Sequence, residues 1–180
     1  WVANSGDSTI SKIDLSTYDV ETFVVGTGPQ NLTIHNNQII IARTVYDNDW
    51  NTLHAITKIN TDGTGLVKNN YGIGSPCSGS MTSRNNILYR SESWINSGAE
   101  GIIPLDNALN YIYDNRIGYF NNPLMIYHIE SINDQIYFSL TENNNPSESL
   151  LKILDSNNQE IASYSVSYFP GDIAYWKKSE

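Results

Sequence analysis

Short apolar runs of roughly four to eight residues recur along the chain, separated by clusters of Gly, Asn, Asp and Pro. The runs are rich in Val, Ile, Thr and Tyr, which is typical of β-strands. No stretch keeps the i, i+3, i+4, i+7 pattern of an amphipathic helix for three turns before Gly or Pro interrupts it. The pattern therefore predicts an all-β protein.

Two landmarks give these runs a fixed period. Four of the six prolines, Pro29, Pro76, Pro123 and Pro170, lie 47 residues apart. The segments SKIDLS, TKINTDG, IPLDNA and LKILDSN align at Asp14, Asn60, Asp106 and Asp155, with spacings of 46, 46 and 49 residues. A constant period of this length is the signature of a repeat architecture. The recurring residues are expected to build the fold, and function is expected where the units differ.

Each unit is predicted to contain four strands, named a to d. Strand a is predicted at 31–35, 78–83, 124–129 and 172–176, and strand b at 1–4, 38–42, 86–90 and 135–139. Strand c is predicted at 9–15, 55–61, 101–106 and 150–155, and strand d at 20–26, 66–74, 109–119 and 160–168. Four-stranded units of this length are typical of β-propeller blades, whereas a β-sandwich gives no reason for a strict repeat.

The fold prediction is a β-propeller of four four-stranded blades forming one domain over residues 1–180. Because the chain begins on a strand b and ends on a strand a, we expect the C-terminal strand a to pair with the N-terminal strand b and close the ring. A closed four-bladed ring predicts a monomer. The alternatives are two chains that form an eight-bladed ring and a segment excised from a longer propeller.

Composition excludes several classes of function. The net charge of −9 and the pI near 4.6 argue against a nucleic-acid partner, which would favour a basic surface. No apolar run is long enough to span a membrane. Cys77 is the single cysteine, so the sequence predicts neither an internal disulfide nor a thiolate metal site. No nucleophile elbow, phosphate-binding loop or dinucleotide fingerprint is present.

The connections between strands b and c vary most between units, and in propellers they lie on one face. The first is short, at 4–8, and the others are predicted as longer loops at 43–54, 90–100 and 140–149. Two of these loops carry a Trp among polar and acidic residues, which either packs on the blade or offers an apolar face to a ligand. The predicted ligand-binding residues are Tyr46, Asp47, Asp49, Trp50, Glu92 and Trp94.

Two other kinds of site have weaker signals. Asp47 and Asp49 are candidate calcium ligands because hard cations prefer clustered oxygens, but the Gly and the distal Glu of an EF-hand loop are missing. No other cofactor is predicted. His35 and His128 lie in predicted a strands beside the central channel and are the only catalytic candidates, although structural histidines are the favoured interpretation.

The first unit, WVANSGDSTISKIDLSTYDVETFVVGTGPQNLTIHNNQIIIA, resembles the YVTN-type repeat of bacterial and archaeal surface propellers. It is also similar to NHL-like repeats and to those of streptogramin-lyase-like proteins. The shared elements are Val-Ala-Asn, Ile-Ser-Lys-Ile-Asp and Val-Gly-Thr-Gly-Pro, and the second unit adds ITKINTDGTG. The match is best over residues 1–65. The resemblance implies an exported or cell-envelope protein, and a start at Trp1 without Met or a leader favours a mature or excised segment.

The leading functional hypothesis is a non-catalytic extracellular module that binds a glycan, a peptide or a partner protein through its b–c loop face. One alternative is an enzyme of the lyase or hydrolase type with a site at the channel mouth. Another is a structural spacer or a self-associating half-propeller.

Overall fold

The computed structural model describes residues 1–73, 79–92, 99–121, 124–142 and 148–176, which form four antiparallel sheets in chain order. Sheet 1 has three strands, β1 (Val2–Asn4), β2 (Thr9–Ile13) and β3 (Val20–Val24). Sheet 2 consists of β4 (Pro29–His35), β5 (Gln38–Tyr46), β6 (Thr52–Asn60) and β7 (Val67–Ile73). Sheet 3 consists of β8 (Met81–Arg84), β9 (Ile87–Glu92), β10 (Ala99–Leu105) and β11 (Ile117–Asn121). Sheet 4 consists of β12 (Leu124–Ile132), β13 (Gln135–Glu142), β14 (Ser149–Leu154) and β15 (Glu160–Val166).

The first hairpin of sheets 2, 3 and 4 uses the same two-residue turn. Its residues are Asn36 and Asn37, Asn85 and Asn86, and Asn133 and Asp134, all with φ between 48° and 64°. Two successive residues with positive φ form a type I′ turn, whose twist matches that of the flanking strands. Asn and Asp tolerate this conformation better than other residues with a side chain. The Asn-rich pairs of the sequence therefore set the register of strands a and b in these units.

Three apolar cores lie between successive sheets. Alternation along β5 places Ile39 and Ile41 in the core shared with sheet 1, and Ile40 and Ala42 in the core shared with sheet 3. The third core, between sheets 3 and 4, contains Tyr89, Ile102, Ile117, Phe120, Ile126, Ile129, Ile136, Phe138, Leu140 and Leu154. A strand buried on both faces explains the continuous apolar run of β5.

The sheets follow one another in a row, as in a propeller-like fold. Contacts between neighbouring sheets join β1 to β4, β4 to β8 and β8 to β12, so sheets 1 and 4 lie at the two ends. The prediction of consecutive antiparallel units is confirmed for the described residues. Sheet 1 has three strands rather than four.

The predicted ring closure is wrong for the described residues. β1 pairs with β2 alone, and residues 167–176 form no strand. After β15 the chain instead lies against sheet 4, where the ring of Phe169 packs 5.5 Å from that of Tyr127 in β12. This contact places Phe169 beside sheet 4, at the end of the row opposite to β1. Among the described residues, no hydrogen-bonded ladder joins the two ends.

Strand d of the third unit also differs from its prediction over 109–119. A short 3₁₀ helix, Tyr113–Asn115, occupies part of this segment, and β11 begins only at Ile117. Leu109 closes the preceding turn with φ 67°, and its side chain is buried between sheets 2 and 3. The first residues of the predicted strand, from Leu109 onward, therefore pack between sheets 2 and 3, and only the residues from Ile117 pair within sheet 3.

Candidate functional site

The connection between β5 and β6 is shorter than the predicted loop at 43–54. Strand pairing continues to Tyr46 opposite Thr52, so only residues 47–51 form the turn. Arg43, Thr44 and His54, which lie within the predicted loop, are each only 4% exposed and belong to the sheet. Burial lowers the pKa of Arg43, whose Nη1 atom donates to the carbonyl oxygen of Thr27 at 3.2 Å. The predicted loop is a long hairpin with a compact tip.

Asp47 builds this turn with both oxygens of its carboxylate. Its Oδ1 atom accepts the backbone N–H groups of Asp49 and Asn51, both at 2.9 Å, and its Oδ2 atom accepts the side-chain amide of Asn51 at 2.9 Å. These bonds, with the Asn51 side chain contributing most, lower the pKa of Asp47. Asp47, predicted as a ligand residue, therefore has a structural role in the turn.

The same turn occurs at two c–d connections. Asp106 accepts the N–H groups of Ala108 and Asn110, both at 2.8 Å, and Asp155 accepts those of Asn157 and Gln159, both at 2.9 Å. The sequence signal is an Asp followed four residues later by Asn or Gln, and this spacing identifies the turn at Asp47 as well. Within the described ranges, no group of three His, Cys, Asp or Glu side chains could hold a metal ion.

Trp50 and Tyr46 form an exposed aromatic pair at the tip of the hairpin. Trp50 is 80% exposed and Tyr46 is 53% exposed, and their ring centroids lie 6.1 Å apart at an interplanar angle of 50°. The sequence left open whether this Trp packs on the blade or offers an apolar face to a ligand, and in the structure most of its surface is exposed to solvent. The hairpin brings Tyr46, Asp47, Asp49 and Trp50 together.

Trp50 has a left-handed backbone, with φ 63°, which is unusual for a bulky residue. The matching turn positions hold Leu109, with φ 67°, and Asn158, with φ 65°. Leu109 is buried in a core and Asn tolerates positive φ, so folding accounts for both. Neither explanation applies to Trp50.

The other two predicted ligand-binding residues, Glu92 and Trp94, do not belong to this hairpin. Glu92 is the last residue of β9, in the sheet that follows the hairpin. Trp94 lies outside the described residues.

His35 is engaged at both ring nitrogens. Its Nδ1 atom lies 2.8 Å from the Ser83 hydroxyl of sheet 3, and its Nε2 atom lies 3.0 Å from the Asn36 side-chain amide. Burial lowers the pKa of His35, so the ring is neutral at neutral pH. It also lines a cavity of about 210 Å³ between sheets 2 and 3, where Lys58 Nζ donates to the Asn107 carbonyl at 2.8 Å. The two ring nitrogens of His35 therefore both have partners within sheets 2 and 3.

His128 lies on the boundary between sheets 3 and 4. Its Nδ1 atom is 3.2 Å from the Ser80 hydroxyl, and its Nε2 atom is 3.9 Å from Glu130 Oε2. Burial lowers the pKa of His128 and outweighs the opposing influence of Glu130 and Asp172. The structure does not bring His35 and His128 to one site, because each faces a serine of a different boundary.

His54, Tyr71 and Arg90 form a buried polar cluster between sheets 2 and 3. No sequence motif predicted it. The ring of His54 stacks on Tyr71 at 5.5 Å, and the Arg90 guanidinium lies 5.8 Å from the Tyr71 ring. Burial, with a smaller influence of Arg90, lowers the pKa of His54 to about 4. Burial also raises the pKa of Tyr71 to about 12. The cluster belongs to the interface between these two sheets.

Comparisons with known proteins show a distant likeness to a solved structure and no relative in sequence. No family model matches the chain, and no curated protein matches it. The chain is similar to the crystal structure of a quinonprotein alcohol dehydrogenase-like protein from Bacteroides thetaiotaomicron, with 10% identity and a TM-score of 0.45. The match covers 89% of this chain and 51% of the other, so the chain spans about half the length of that structure. In the described parts of the chain, no helix has the length and apolar character needed to cross a membrane.

Proposed function

We propose that this chain is a non-catalytic recognition module of a propeller-like protein of the YVTN type, which binds a neutral glycan at the tip of the β5–β6 hairpin. The observation that carries the proposal is the exposed ring pair at the tip, in which Trp50 (80% exposed) and Tyr46 (53% exposed) lie 6.1 Å apart. Trp50 also has a backbone position that favours Asn or Gly, as the similarly exposed Tyr18 does. A left-handed conformation costs about 1–2 kcal/mol for a residue with a side chain. Exposure means that packing does not offset this cost.

The chemistry of the tip supports a sugar ligand. Tyr46 and Trp50 offer two ring faces, tilted by 50°, to the apolar C–H faces of a saccharide. Asp49 lies between them in sequence, and its carboxylate is an acceptor for hydroxyl groups. The net charge of −9 favours a neutral ligand over an anionic one. An exported or cell-envelope location, as the repeat resemblance implies, would place the module among glycans.

The test is binding of the full chain to an array of neutral oligosaccharides, with an array of polar peptides as the second arm. Trp50→Ala and Tyr46→Ala should each weaken glycan binding by about tenfold or more, as expected for a central aromatic contact. Tyr18→Ala is the matched control, because Tyr18 is 77% exposed with φ 62° in a turn built by Asp14 at a c–d connection. This control should leave binding unchanged.

Three results would contradict the proposal. Absence of binding to the glycan array would remove the ligand class. Binding to peptides alone would replace it with a peptide ligand at the same tip. Undiminished glycan binding by Trp50→Ala would move the site away from this hairpin.

A further inference from the structure

The cavity between sheets 2 and 3 lies at the end of β5 opposite to the hairpin tip. Its volume of about 210 Å³ is below the roughly 300–1,000 Å³ of sites for drug-sized molecules, so it suits a small ligand or a single side chain. Three of its lining residues are apolar and at most 2% exposed, namely Ile40, Leu88 and Leu109. The rest of the lining is polar and includes His35, Lys58 and Asp106.

The corresponding place between sheets 3 and 4 is filled by the side chain of Arg84, which precedes the type I′ turn of sheet 3 and is 6% exposed. Its Nη1 atom donates to the carbonyl oxygens of Asp155 at 3.3 Å and Asp134 at 3.5 Å. Its Nη2 atom donates to Asn158 Oδ1 at 2.6 Å. The guanidinium also lies 5.8 Å from the Tyr89 ring. A guanidinium group is therefore the occupant of this position in the next sheet boundary.

The repeat places four cavity residues at the positions of Arg84 and its neighbours. The matched pairs are Arg84 and His35, Tyr89 and Ile40, Asp155 and Asp106, and Asn158 and Leu109. The His35 side chain is shorter than that of Arg, and its Nδ1 atom lies 2.8 Å from the Ser83 hydroxyl. Ile40 is smaller than Tyr. The cavity is the space that these two replacements leave open.

The cavity keeps acceptors of the kind that Arg84 uses. The Asp155 carbonyl accepts a backbone N–H of its own turn at 3.0 Å in addition to the Arg84 guanidinium. The Asp106 carbonyl accepts the Leu109 N–H of the matching turn at 2.9 Å, and a carbonyl oxygen has two lone pairs. Hydrogen bonds, first from the backbone N–H of Asn110, lower the pKa of the Asp106 carboxyl, so it is ionised at neutral pH.

The charges of the cavity lining balance one another. Lys58 contributes a positive charge, and its Nζ atom donates to the Asn107 carbonyl at 2.8 Å. Asp106 contributes a negative charge, and His35 is neutral because burial lowers its pKa. With a balanced lining, the net charge of −9 of the whole chain favours a cationic ligand over an anionic one.

We infer that the cavity between sheets 2 and 3 binds a guanidinium group on a short aliphatic stem. The guanidinium donates to the Asp106 carbonyl as Arg84 donates to Asp155, and the stem packs on Ile40 and Leu88. The group belongs either to a small guanidino compound or to an arginine side chain of a partner protein. This site is separate from the hairpin tip, because the two lie at opposite ends of β5.

Titration of the full ¹⁵N-labelled chain with n-propylguanidinium, which has the structure of an arginine side chain, tests the inference by NMR. Backbone amide shifts should be confined to the cavity lining, with a dissociation constant of about 1 mM. The neutral analogue n-propylurea should bind at least about tenfold more weakly, because it lacks the charge. A capped Gly-Arg-Gly peptide forms the second arm. Tighter binding of the peptide assigns the site to a partner's arginine, and weaker binding assigns it to a small compound.

Three variants locate the binding site. His35→Arg should reproduce the arrangement of Arg84, fill the cavity and abolish binding. Ile34→Arg is the matched control, because it adds the same charge to the neighbouring residue of β4, where the side chain is 62% exposed, and it should leave binding unchanged. Lys58→Met removes the competing ammonium group and should tighten binding by up to about fivefold. Circular dichroism should show that all three variants are folded, and the comparison with n-propylurea depends on none of them.

Four results would overturn the inference. Absence of amide shifts at about 20 mM n-propylguanidinium, well above the expected dissociation constant, would exclude the ligand. Equal binding of n-propylurea would show that the site does not recognise a cation. Undiminished binding by His35→Arg would place the site outside the cavity. Weaker binding by Lys58→Met would show that Lys58 itself holds the ligand, which contradicts a cationic one.

Discussion

The hydroxyl oxygen of Ser80, just before β8, accepts a hydrogen bond from the backbone N–H of Ile129 in β12 at 3.1 Å. Asn31 in β4 makes the same contact one sheet earlier, where its Oδ1 atom accepts the N–H of Met81 at 3.1 Å. Both acceptors lie five residues before a type I′ turn. The boundary between sheets 2 and 3 and that between sheets 3 and 4 are therefore each joined by the same kind of polar bond as well as by an apolar core.

Removal of this bond should destabilise the fold. Ser80 is 5% exposed, so Ser80→Ala leaves the N–H of Ile129 without that acceptor in a buried setting. We expect a loss of about 1–3 kcal/mol in the free energy of unfolding, measured by urea denaturation. Ser163→Ala, at an exposed position of β15, is the control and should change stability by less than about 0.5 kcal/mol. Equal stability of the two variants would show that the bond between sheets contributes nothing.

Gly28 permits the chain to approach β5 closely before β4 begins. Its φ is 65°, its carbonyl accepts the Thr44 N–H at 2.9 Å, and a Cβ atom there would lie 1.9 Å from the Thr44 carbonyl oxygen. Gly28→Ala should therefore lower the free energy of unfolding by more than about 2 kcal/mol, from backbone strain and displacement of β5. Gly6→Ala is the control, since nothing lies within 4 Å of its added Cβ. A Gly28→Ala melting temperature equal to that of the control would contradict this account.

Tyr71 connects sheet 2 to the turn after β10. Its hydroxyl donates to the Leu109 carbonyl, next to two bonds in which Lys58 Nζ donates to the Asn107 carbonyl and Asn69 Nδ2 to the Ala108 carbonyl. With its pKa near 12, the hydroxyl stays protonated and remains a donor at neutral pH. Tyr71→Phe should cost about 1 kcal/mol in thermal or urea unfolding. Tyr119→Phe, on the exposed side of β11, should be neutral, and a neutral Tyr71→Phe would reject the role of this hydroxyl.

The local parts of the fold could be predicted because local residues determine them. The Asn36–Asn37 pair alone specifies a type I′ turn, and the apolar run at Ile39–Ala42 specifies a strand buried on both faces. Ring closure could not be predicted in the same way. It depends on whether the segment after β15 gains more from pairing with β1 than from the contact of Phe169 with Tyr127, and periodicity contains no information on that balance.

The candidate site was predicted in part for a similar reason. Residue type alone was enough to single out Trp50, which is exposed. Asp47 was predicted as a ligand residue because the sequence does not distinguish a free Asp carboxylate from one that forms a turn. The spacing from Asp47 to Asn51, shared with Asp106 and Asn110, was the signal that separates the two cases. The extent of the hairpin required knowledge that Arg43 is buried, which charge alone does not suggest.

The stability of the fold should fall in acid because of His54. The folded pKa is about 4, against 6.5 for the ordinary group, so the unfolded chain binds a proton that the folded chain excludes. The contribution of His54 is therefore fully present above pH 6.5 and is lost as the pH falls toward 4. One pKa unit corresponds to about 1.4 kcal/mol, so the loss should approach about 3 kcal/mol.

His54→Phe keeps a ring against Tyr71 and removes the titration, so its urea midpoint should change less between pH 7 and pH 4 than that of the wild type. His35 and His128 titrate in both proteins and cancel in this comparison. Parallel pH profiles for the two proteins would show that His54 is not the group responsible.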